Sequence, residues 1–409
     1  MSCQTKKRSR FLYGLWRLVA NAFASLVFKR KFIRNEIKGK KGPFVVIANH
    51  QAALDFVNLM GATKEQMNFV ISSAFFRTLP MKSVVSRLGF IPKQQFQTSI
   101  VDMRRMRKVV ENGEILVIYP AGLMSDDGRS TPIPSATYGF LKWMDADVYV
   151  AKTIGTYFAM PKWRKDGIRS GKTYIDIYKL FDKDELEAMQ PSEIEKVAGE
   201  ALGFDAYEEQ EKFKINYKRG SNIEGLENVL YICPSCKKEF TLKNRNKNTI
   251  YCESCGFAEQ ADEYQILHKI SDTGEEIRYP SVWNSLIKSH VKQDIESGLF
   301  TFLSSDVEIR MICDKKRRFE KVGNGRLTLS ASGFVISGNI NGEETELKIP
   351  ISSFAALPYK PGEYIEIQRD DDIYRCLPTD GRIVVKYINM IKIFYEQSCA
   401  ETDKKRMNV

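Results

Sequence analysis

Residues 44–48 form an unbroken apolar run that leads into Asn49 and His50, and Asp55 follows His50 after four intervening residues. Such a run predicts a buried strand, and a short turn can bring the Asp55 carboxylate back to the imidazole. A histidine takes a proton from an alcohol near neutral pH, and a carboxylate that orients its ring makes it a better base. The spacing predicts a general base at a strand end, with a purely structural hydrogen bond as the alternative.

Two later segments carry related signals. Residues 89–93 read Gly-Phe-Ile-Pro-Lys, and residues 115–122 are an apolar strand that runs into a tight turn, Tyr-Pro-Ala-Gly. Together with residues 49–55 they resemble the sequence blocks of the glycerophospholipid acyltransferases, which include the 1-acylglycerol-3-phosphate (lysophosphatidic acid) acyltransferases. The resemblance implies that His50 and Asp55 are the catalytic pair and that the two later blocks bind the phosphate of the acceptor.

The later blocks depart from the family pattern at several positions. Lys93 stands where the family usually has arginine, which keeps the charge but loses the planar two-pronged grip on a phosphate. In the third block Gly122 matches, but Ala121 replaces a glutamate and Met124 an arginine. Arg129, a few residues on, is the expected replacement cation, with a solvated turn as the alternative for its segment. The resemblance thus implies Lys93, Gly122 and Arg129 as substrate-binding residues.

The reaction that the resemblance implies is direct O-acyl transfer. His50 deprotonates the hydroxyl of a lysophospholipid, and the alkoxide attacks the thioester of acyl-CoA or acyl carrier protein. The simplest acceptor is 1-acylglycerol-3-phosphate, which gives phosphatidic acid. The region has no cysteine or serine in a recognisable nucleophile context, which favours transfer without an acyl-enzyme. Because the third block is degenerate, a non-catalytic lipid-binding or scaffold protein that kept the acyltransferase fold is the second hypothesis.

Positive charge is concentrated at the amino terminus. Residues 1–41 contain twelve Lys and Arg against one acidic residue, Glu36, and so carry a net charge equal to the formal +11 of the whole chain. A basic segment so localised indicates a polyanionic partner, either a membrane leaflet or a nucleic acid.

The residues inside this basic segment favour the membrane. Between Arg10 and Lys29, polar residues recur at helical spacing and leave a broad apolar face, which predicts an amphipathic helix at a bilayer interface. A signal peptide and a short transmembrane span are the alternatives, and Arg17 in the middle of the apolar stretch argues against both. The expected location is the cytoplasmic face of the cell membrane, as a peripheral or monotopic protein in contact with anionic lipids.

Two C-x2-C pairs, separated by fifteen residues, form the second strong motif: Cys233, Cys236, Cys252 and Cys255. Four thiolates in this arrangement predict a closed tetrahedral zinc site with a structural role, and they resemble the zinc ribbons, with strands expected at residues 229–232 and 249–251. Disulfides and a rubredoxin-like iron site are the alternatives, and a reducing cytosol disfavours the disulfides. Nucleic-acid binding is not favoured, because the basic hairpin 237–248 is short and has one aromatic residue.

The sequence predicts five consecutive segments. An amphipathic membrane anchor (1–40) precedes an α/β acyltransferase domain (41–217) in which helices flank a mixed sheet. A small zinc ribbon (228–270) and a connector of one helix and a strand (271–324) follow. The last segment (325–400) is a β-rich domain with a terminal helix, and it resembles the pleckstrin-homology and related membrane-associated barrels. A generic small β domain is the alternative for this last segment.

Overall fold

A computed structural model of the protein describes residues 9–80, 82–96, 99–218, 220–353, 356–369 and 372–407. The chain divides into two compact units. The first consists of residues up to Lys162 together with Asp166–Gly220, and the second of Trp163–Lys165 together with the residues from Ser221 onward.

The first unit is an α/β structure, in line with the predicted fold class. Its described helices and strands are, in chain order, α1 Arg10–Leu26, β1 Lys31–Asn35, β2 Phe44–Ala48, α2 Asp55–Leu59, β3 Met67–Ser72, α3 Ser73–Thr78, α4 Lys82–Val85, β4 Phe90–Lys93, α5 Ile100–Glu111, β5 Ile115–Ile118, α6 Ala136–Trp143, β6 Val148–Ile154, α7 Thr156–Ala159, β7 Tyr174–Phe181, α8 Lys183–Ala188, α9 Pro191–Leu202 and α10 Ala206–Phe213.

The seven strands form one mixed sheet in the order β1-β7-β6-β2-β5-β3-β4. Strands β2 to β6 pair with one another in parallel, and β7 is antiparallel to β6 and parallel to β1. All five residues of β2 are buried, because this strand lies at the centre of the sheet and both of its faces are covered. The predicted mixed sheet with flanking helices is therefore confirmed.

The core of the unit follows from the alternation of side chains along the strands. Val45, Leu116, Val148 and their neighbours at every second position lie on one face, where they pack against α5, α6 and α9. The helices contribute apolar residues at helical spacing to the same cluster: Met106, Val109, Val110, Tyr138, Leu141, Ile194, Ala198 and Leu202. This packing fixes the parallel strands, so their carboxyl ends form one edge, where open α/β sheets bind ligands.

Helix α1 confirms the helix predicted near the amino terminus. It begins at the Ser9 cap, whose hydroxyl accepts a hydrogen bond from the Leu12 amide at 3.3 Å. Tyr13, Ala20 and Ala24 are buried. The large apolar side chains on the other side of the helix are exposed: Phe11, Leu15, Leu18, Val19 and Leu26. Among the described residues, no helix has both the length and the apolar composition needed to cross a bilayer.

The second unit is mostly antiparallel β-structure. Its described helices and strands are β8 Leu242–Arg245, β9 Thr249–Cys252, β10 Ala258–Ala261, β11 Leu267–Lys269, α11 Pro280–Glu296, β12 Phe302–Cys313, β13 Arg318–Ser330, β14 Gly333–Ile340, β15 Glu343–Pro350, β16 Tyr359–Lys360, β17 Tyr364–Arg369, β18 Asp372–Pro378 and α12 Ile383–Met407, with short 3-10 turns at Leu226–Asn228 and Ile351–Ser353.

Strands β8 to β11 form a four-stranded sheet, and the other seven form a sheet in the order β15-β14-β13-β12-β18-β17-β16. Helix α12 packs on the larger sheet, where the Tyr387 hydroxyl donates to the Leu327 carbonyl at 2.8 Å. The predicted β-rich carboxyl-terminal region with a terminal helix is thus present. Its likeness to the pleckstrin-homology barrels stays a prediction.

The second unit differs from the sequence expectations in two details. Strand β12, expected as part of a connector, pairs with β13 along its length, so the larger sheet begins at Phe302. Residues 229–232, expected to be a ribbon strand, form only one bridge, between Ile232 and Glu239. These four residues are β-branched, aromatic or aliphatic, and all four are buried. A buried loop can have the same apolar composition as a strand, so composition alone predicts a strand here.

Candidate active site and metal centre

His50 lies just beyond the carboxyl end of β2, where Asn49 fixes the backbone. The Asn49 side-chain amide donates to the Thr153 carbonyl at 2.9 Å, and its oxygen accepts from the Thr153 amide at 2.8 Å. These two bonds continue the pairing of β2 with β6 by one position beyond the strand. The residue after Asn49 is therefore held at a defined place on the sheet edge.

The structure brings His50 and Asp55 together. His50 Nδ1 lies 3.0 Å from Asp55 Oδ2, and the same oxygen accepts from the amides of Gln51 at 2.8 Å and Ala52 at 2.9 Å. Asp55 is fully buried, whereas 20% of the His50 side chain is exposed. Because the carboxylate accepts the Nδ1 proton, the lone pair of the neutral imidazole is on Nε2, which is the arrangement of a general base.

The Tyr119 ring packs against the His50 imidazole, a contact that the sequence did not predict. Its ring lies 4.5 Å from the imidazole, centroid to centroid, with 34° between the planes. The Ser125 amide donates to the His50 carbonyl at 3.2 Å, so the loop after β5 holds the histidine from two sides. Burial and the Asp55 charge raise the pKa of Tyr119, which keeps its hydroxyl neutral. In the sequence, the position of Tyr119 directly after an apolar strand is the feature that indicates a place at the sheet edge.

The loop that follows Lys93 contacts the turn that contains Gly122. Lys93 ends β4, and its Nζ donates to the Gln94 carbonyl at 3.0 Å. Partial burial lowers the pKa of Lys93, and the nearby Asp102 acts in the opposite direction. The Gln95 side chain donates to the Gly122 carbonyl at 2.8 Å. Gly122 has a φ of +67°, and a Cβ there would lie 3.2 Å from the Phe96 ring, so this tight turn requires glycine.

Arg129 has a contact that the sequence did not predict. Its Nε donates to Asp205 Oδ2 at 2.9 Å, next to a backbone bond from the Ala206 amide to the Gly128 carbonyl at 2.8 Å. Asp205 is the cap of α10. Arg129 therefore ties the loop after β5 to the start of α10, and 41% of its side chain is exposed.

The four motif cysteines form one cluster in the second unit. Their sulfur atoms all lie within 4.8 Å of one another, with Cys233 3.7 Å from Cys255 and Cys236 3.8 Å from Cys252. A tetrahedral zinc ion with Zn–S bonds of about 2.3 Å requires S–S edges of about 3.8 Å, so the four sulfurs fit this ion. Disulfide sulfurs lie about 2.05 Å apart, and these four cysteines are free.

The backbone presents the two cysteine pairs in the same way. The Lys237 amide donates to the Cys233 carbonyl, and the Gly256 amide to the Cys252 carbonyl, each at 3.0 Å. Lys237 and Gly256 both have positive φ, at +61° and +76°. Each C-x2-C pair is thus a knuckle that turns two sulfurs toward one point. Because the protein supplies all four ligands, this cluster is suited to a structural metal rather than a catalytic one.

Comparisons with known proteins match part of the first unit to an acyltransferase domain. A family model described as Acyltransferase matches residues 29–154, a range that includes His50, Asp55 and both later blocks. The chain is also similar to the solved structure of the 1-acyl-sn-glycerophosphate (LPA) acyltransferase PlsC from Thermotoga maritima, with 19% identity and a TM-score of 0.40, over 47% of this chain and 78% of that chain. Residues 29–154 are thus similar to the acyltransferase family, in agreement with the resemblance that the sequence blocks indicate.

Proposed function

We propose that this protein is a membrane-associated O-acyltransferase that moves an acyl chain from acyl-CoA or acyl carrier protein to the hydroxyl of a lysophospholipid. The most direct acceptor is 1-acylglycerol-3-phosphate, with phosphatidic acid as the product. The observation that carries the proposal is the 3.0 Å contact between His50 Nδ1 and the buried Asp55, at the ligand-binding edge of the sheet.

In the proposed reaction His50 is the general base. Its Nε2 takes the proton of the acceptor hydroxyl, and the alkoxide oxygen forms a bond to the thioester carbonyl carbon. The imidazolium that results is stabilised by Asp55, and backbone amides stabilise the oxyanion. When the carbon–sulfur bond breaks, the imidazolium returns its proton to the departing thiolate. The products are the ester and the free thiol, and His50 is again neutral.

The acceptor phosphate is assigned to the loops after β4 and β5. Lys93 supplies the main positive charge, the Gly122 turn allows a close approach of the backbone, and the exposed part of Arg129 adds a second cation. Lys93 is partly buried, and a charge that is partly removed from water interacts more strongly with an anion.

Replacing Lys93 by alanine is expected to raise the KM for a phosphate-bearing lysolipid by about tenfold, as expected for the loss of one charge-assisted hydrogen bond of about 1.5 kcal/mol. Lys93→Arg, which keeps the charge, is expected to restore most of the affinity. Initial rates at varied acceptor concentration measure the effect. Lys108→Ala, at an exposed position of α5, is the control, and an unchanged KM in Lys93→Ala would remove this lysine from the phosphate site.

Exposed apolar residues support contact with a bilayer. Helix α1 presents an apolar face beside basic residues, which suits an anionic leaflet. Phe75 lies in α3, which directly follows β3, and Ile100 and Val101 begin α5 after β4; all three are exposed. These helices start at the same sheet edge as His50. Lipid substrates can then reach the site from the membrane, which we assign to the cytoplasmic leaflet.

Leu15→Asp and Leu18→Asp, combined, are expected to reduce binding to phosphatidylglycerol-containing vesicles at least about tenfold. The reason is that burying one leucine in an apolar phase contributes about 1.5–3 kcal/mol. Vesicle sedimentation measures the partitioning. Val197→Asp changes an exposed apolar residue of α9 in the same way and is expected to bind like the wild type. Equal binding by the double variant would mean that α1 is not the anchor.

The decisive assay is acyl transfer from acyl-CoA and from acyl carrier protein to a panel of lysophospholipids. A product identifies the acceptor and the donor together. Absence of any product from protein that still binds vesicles would support the alternative, a lipid-binding scaffold, which the substitutions Ala121 and Met124 favour.

In the second unit we propose zinc as the structural ion of the four-cysteine cluster, because the sulfur spacing fits its tetrahedral geometry.

A further inference from the structure

Gln51 lies in the turn between His50 and Asp55, the proposed catalytic dyad. Its buried side chain is held by three partners from outside this turn. Its Oε1 accepts from the Tyr157 amide at 3.1 Å and from the Thr156 hydroxyl at 3.2 Å. Its Nε2 donates to Glu209 Oε2 at 3.2 Å. All of the side-chain polar atoms of Gln51 are therefore satisfied, and the residue has one defined orientation.

Gln51 also contacts Asp55 directly, through its backbone. Its backbone amide donates to Asp55 Oδ2 at 2.8 Å, the same oxygen that lies 3.0 Å from His50 Nδ1. A shift of the Gln51 backbone, which its side-chain contacts restrain, would move this amide away from the carboxylate. Asp55 would then lose one of its three donors, and the imidazole that it orients would be less well fixed.

Glu209 is the distant end of this chain of contacts. It belongs to α10, which lies outside the residues that the family model matches. Its side chain is buried, and burial raises its pKa to about 7, although Lys152 and the Gln51 hydrogen bond act in the opposite direction. Lys152 Nζ lies 3.5 Å from Glu209 Oε1 and donates to the Gly203 carbonyl at 2.7 Å. A buried carboxylate is costly, so its contacts with Gln51 and Lys152 offset a real penalty.

We propose that Glu209 is a positioning residue of the acyl-transfer site, which holds the Gln51 side chain so that the Gln51 amide fixes Asp55 and, through it, His50. The proposal rests on the proposed role of His50 as general base. The competing role is a purely structural one, in which Glu209 only pairs with Lys152 and closes α10 over the sheet.

The test compares Glu209→Leu with Glu209→Gln. Leucine removes the acceptor for Gln51 Nε2, and we expect kcat to fall about 10- to 100-fold with KM within about twofold, because small displacements of catalytic groups have effects of this size. Glutamine keeps an acceptor oxygen, and we expect kcat within about threefold of the wild type. An unchanged kcat in folded Glu209→Leu protein would overturn the proposal.

Gln51→Leu is the second variant, and it protects the test if Glu209→Leu does not fold. It removes the other end of the same hydrogen bond but leaves the pair of Glu209 with Lys152 intact, and it should lower kcat to a similar extent. In the double variant, the two effects are expected to be far less than additive, because both act through one contact. Full additivity would contradict a shared path to Asp55.

An NMR measurement that requires no acyl transfer tests the positioning role of Glu209 independently of the proposed function. The chain has three histidines, His50, His268 and His290, so the imidazole resonance of His50 can be assigned with His50→Ala. In Glu209→Leu we expect a changed chemical shift for the His50 resonance and unchanged signals for the other two. If the wild type transfers no acyl group, the proposed function fails, but this spectrum still decides whether Glu209 orients the dyad. A His50 signal identical to the wild type would overturn the positioning role.

Discussion

Replacing His50 by alanine is expected to lower kcat/KM for acyl transfer by about 10²- to 10⁴-fold, the usual contribution of a general base. The acceptor hydroxyl is a weak nucleophile, and in the variant only water is available to take its proton. The fold should survive, because the His50 side chain is partly exposed and packs at a sheet edge rather than in the core. Initial rates with acyl-CoA and a lysophospholipid acceptor measure the loss, and thermal unfolding checks the fold.

The chain contains a matched control for this experiment. His268 Nε2 lies 3.0 Å from Asp262 Oδ2 in the second unit, a histidine–aspartate pair with the same separation as the dyad. His268→Ala removes an imidazole from such a pair outside the acyltransferase domain, and we expect full activity. Asp55→Asn is expected to behave like His50→Ala, since an amide no longer orients the productive tautomer. Wild-type rates in His50→Ala would end the general-base assignment.

The dyad could be predicted from the sequence because it is local. His50 and Asp55 are joined by a single turn, so residue type and spacing predict their contact, whereas their catalytic role is what the resemblance to the acyltransferases implies. Its supports could not be predicted. The Gln51 contact spans 158 residues to Glu209, and the Asn49 contact spans 104 residues to Thr153. Such pairs depend on how distant strands and helices pack, and no periodicity in one segment encodes that.

Arg129 illustrates a different limit. Its charge and its place after the third block predict a phosphate ligand, but residue type does not show that this arginine also pairs with a carboxylate of the chain itself. In the structure Asp205, at the start of α10, lies 2.9 Å from its Nε.

The fold shows the same difference between local features, which the sequence predicts, and long-range features, which it does not. Continuous apolar runs predicted buried strands and a mixed sheet, whereas the order of those strands and the early start of the larger sheet at Phe302 depended on long-range pairing.

Cys252→Ser is expected to remove the metal and unfold the small four-stranded sheet of the second unit. Structural zinc contributes about 10–16 kcal/mol of binding free energy in small zinc modules, which exceeds or equals the whole stability of most domains. The strands here have three or four residues each, so the sheet buries little apolar surface of its own and we expect it to depend on the ion. Metal analysis of freshly purified protein should find about one zinc per wild-type chain and almost none in the variant.

The control for this change is Cys399→Ser, because Cys399 is exposed and lies outside the cluster. It should retain the metal and unfold at the wild-type temperature. The same comparison decides the identity of the ion: iron in the place of zinc would give the visible absorption of a thiolate-bound iron, whereas zinc is colourless. Wild-type protein with neither metal, yet with the same stability as the zinc-loaded form, would contradict a structural metal site.

Trp283 offers a direct view of this unfolding. Its ring packs edge to face on Phe257, with 5.6 Å between centroids, and its Nε1 donates to the Ile232 carbonyl at 2.9 Å. Ile232 precedes the first cysteine, and Phe257 follows the last by two positions, so both contacts depend on the knuckles. Trp283 is fully buried. Removing the ion with a chelator should therefore shift tryptophan emission to longer wavelength, and Trp283→Phe should abolish most of that shift. A blue-shifted, unchanged spectrum in metal-free protein would mean that the four-stranded sheet stands without its ion.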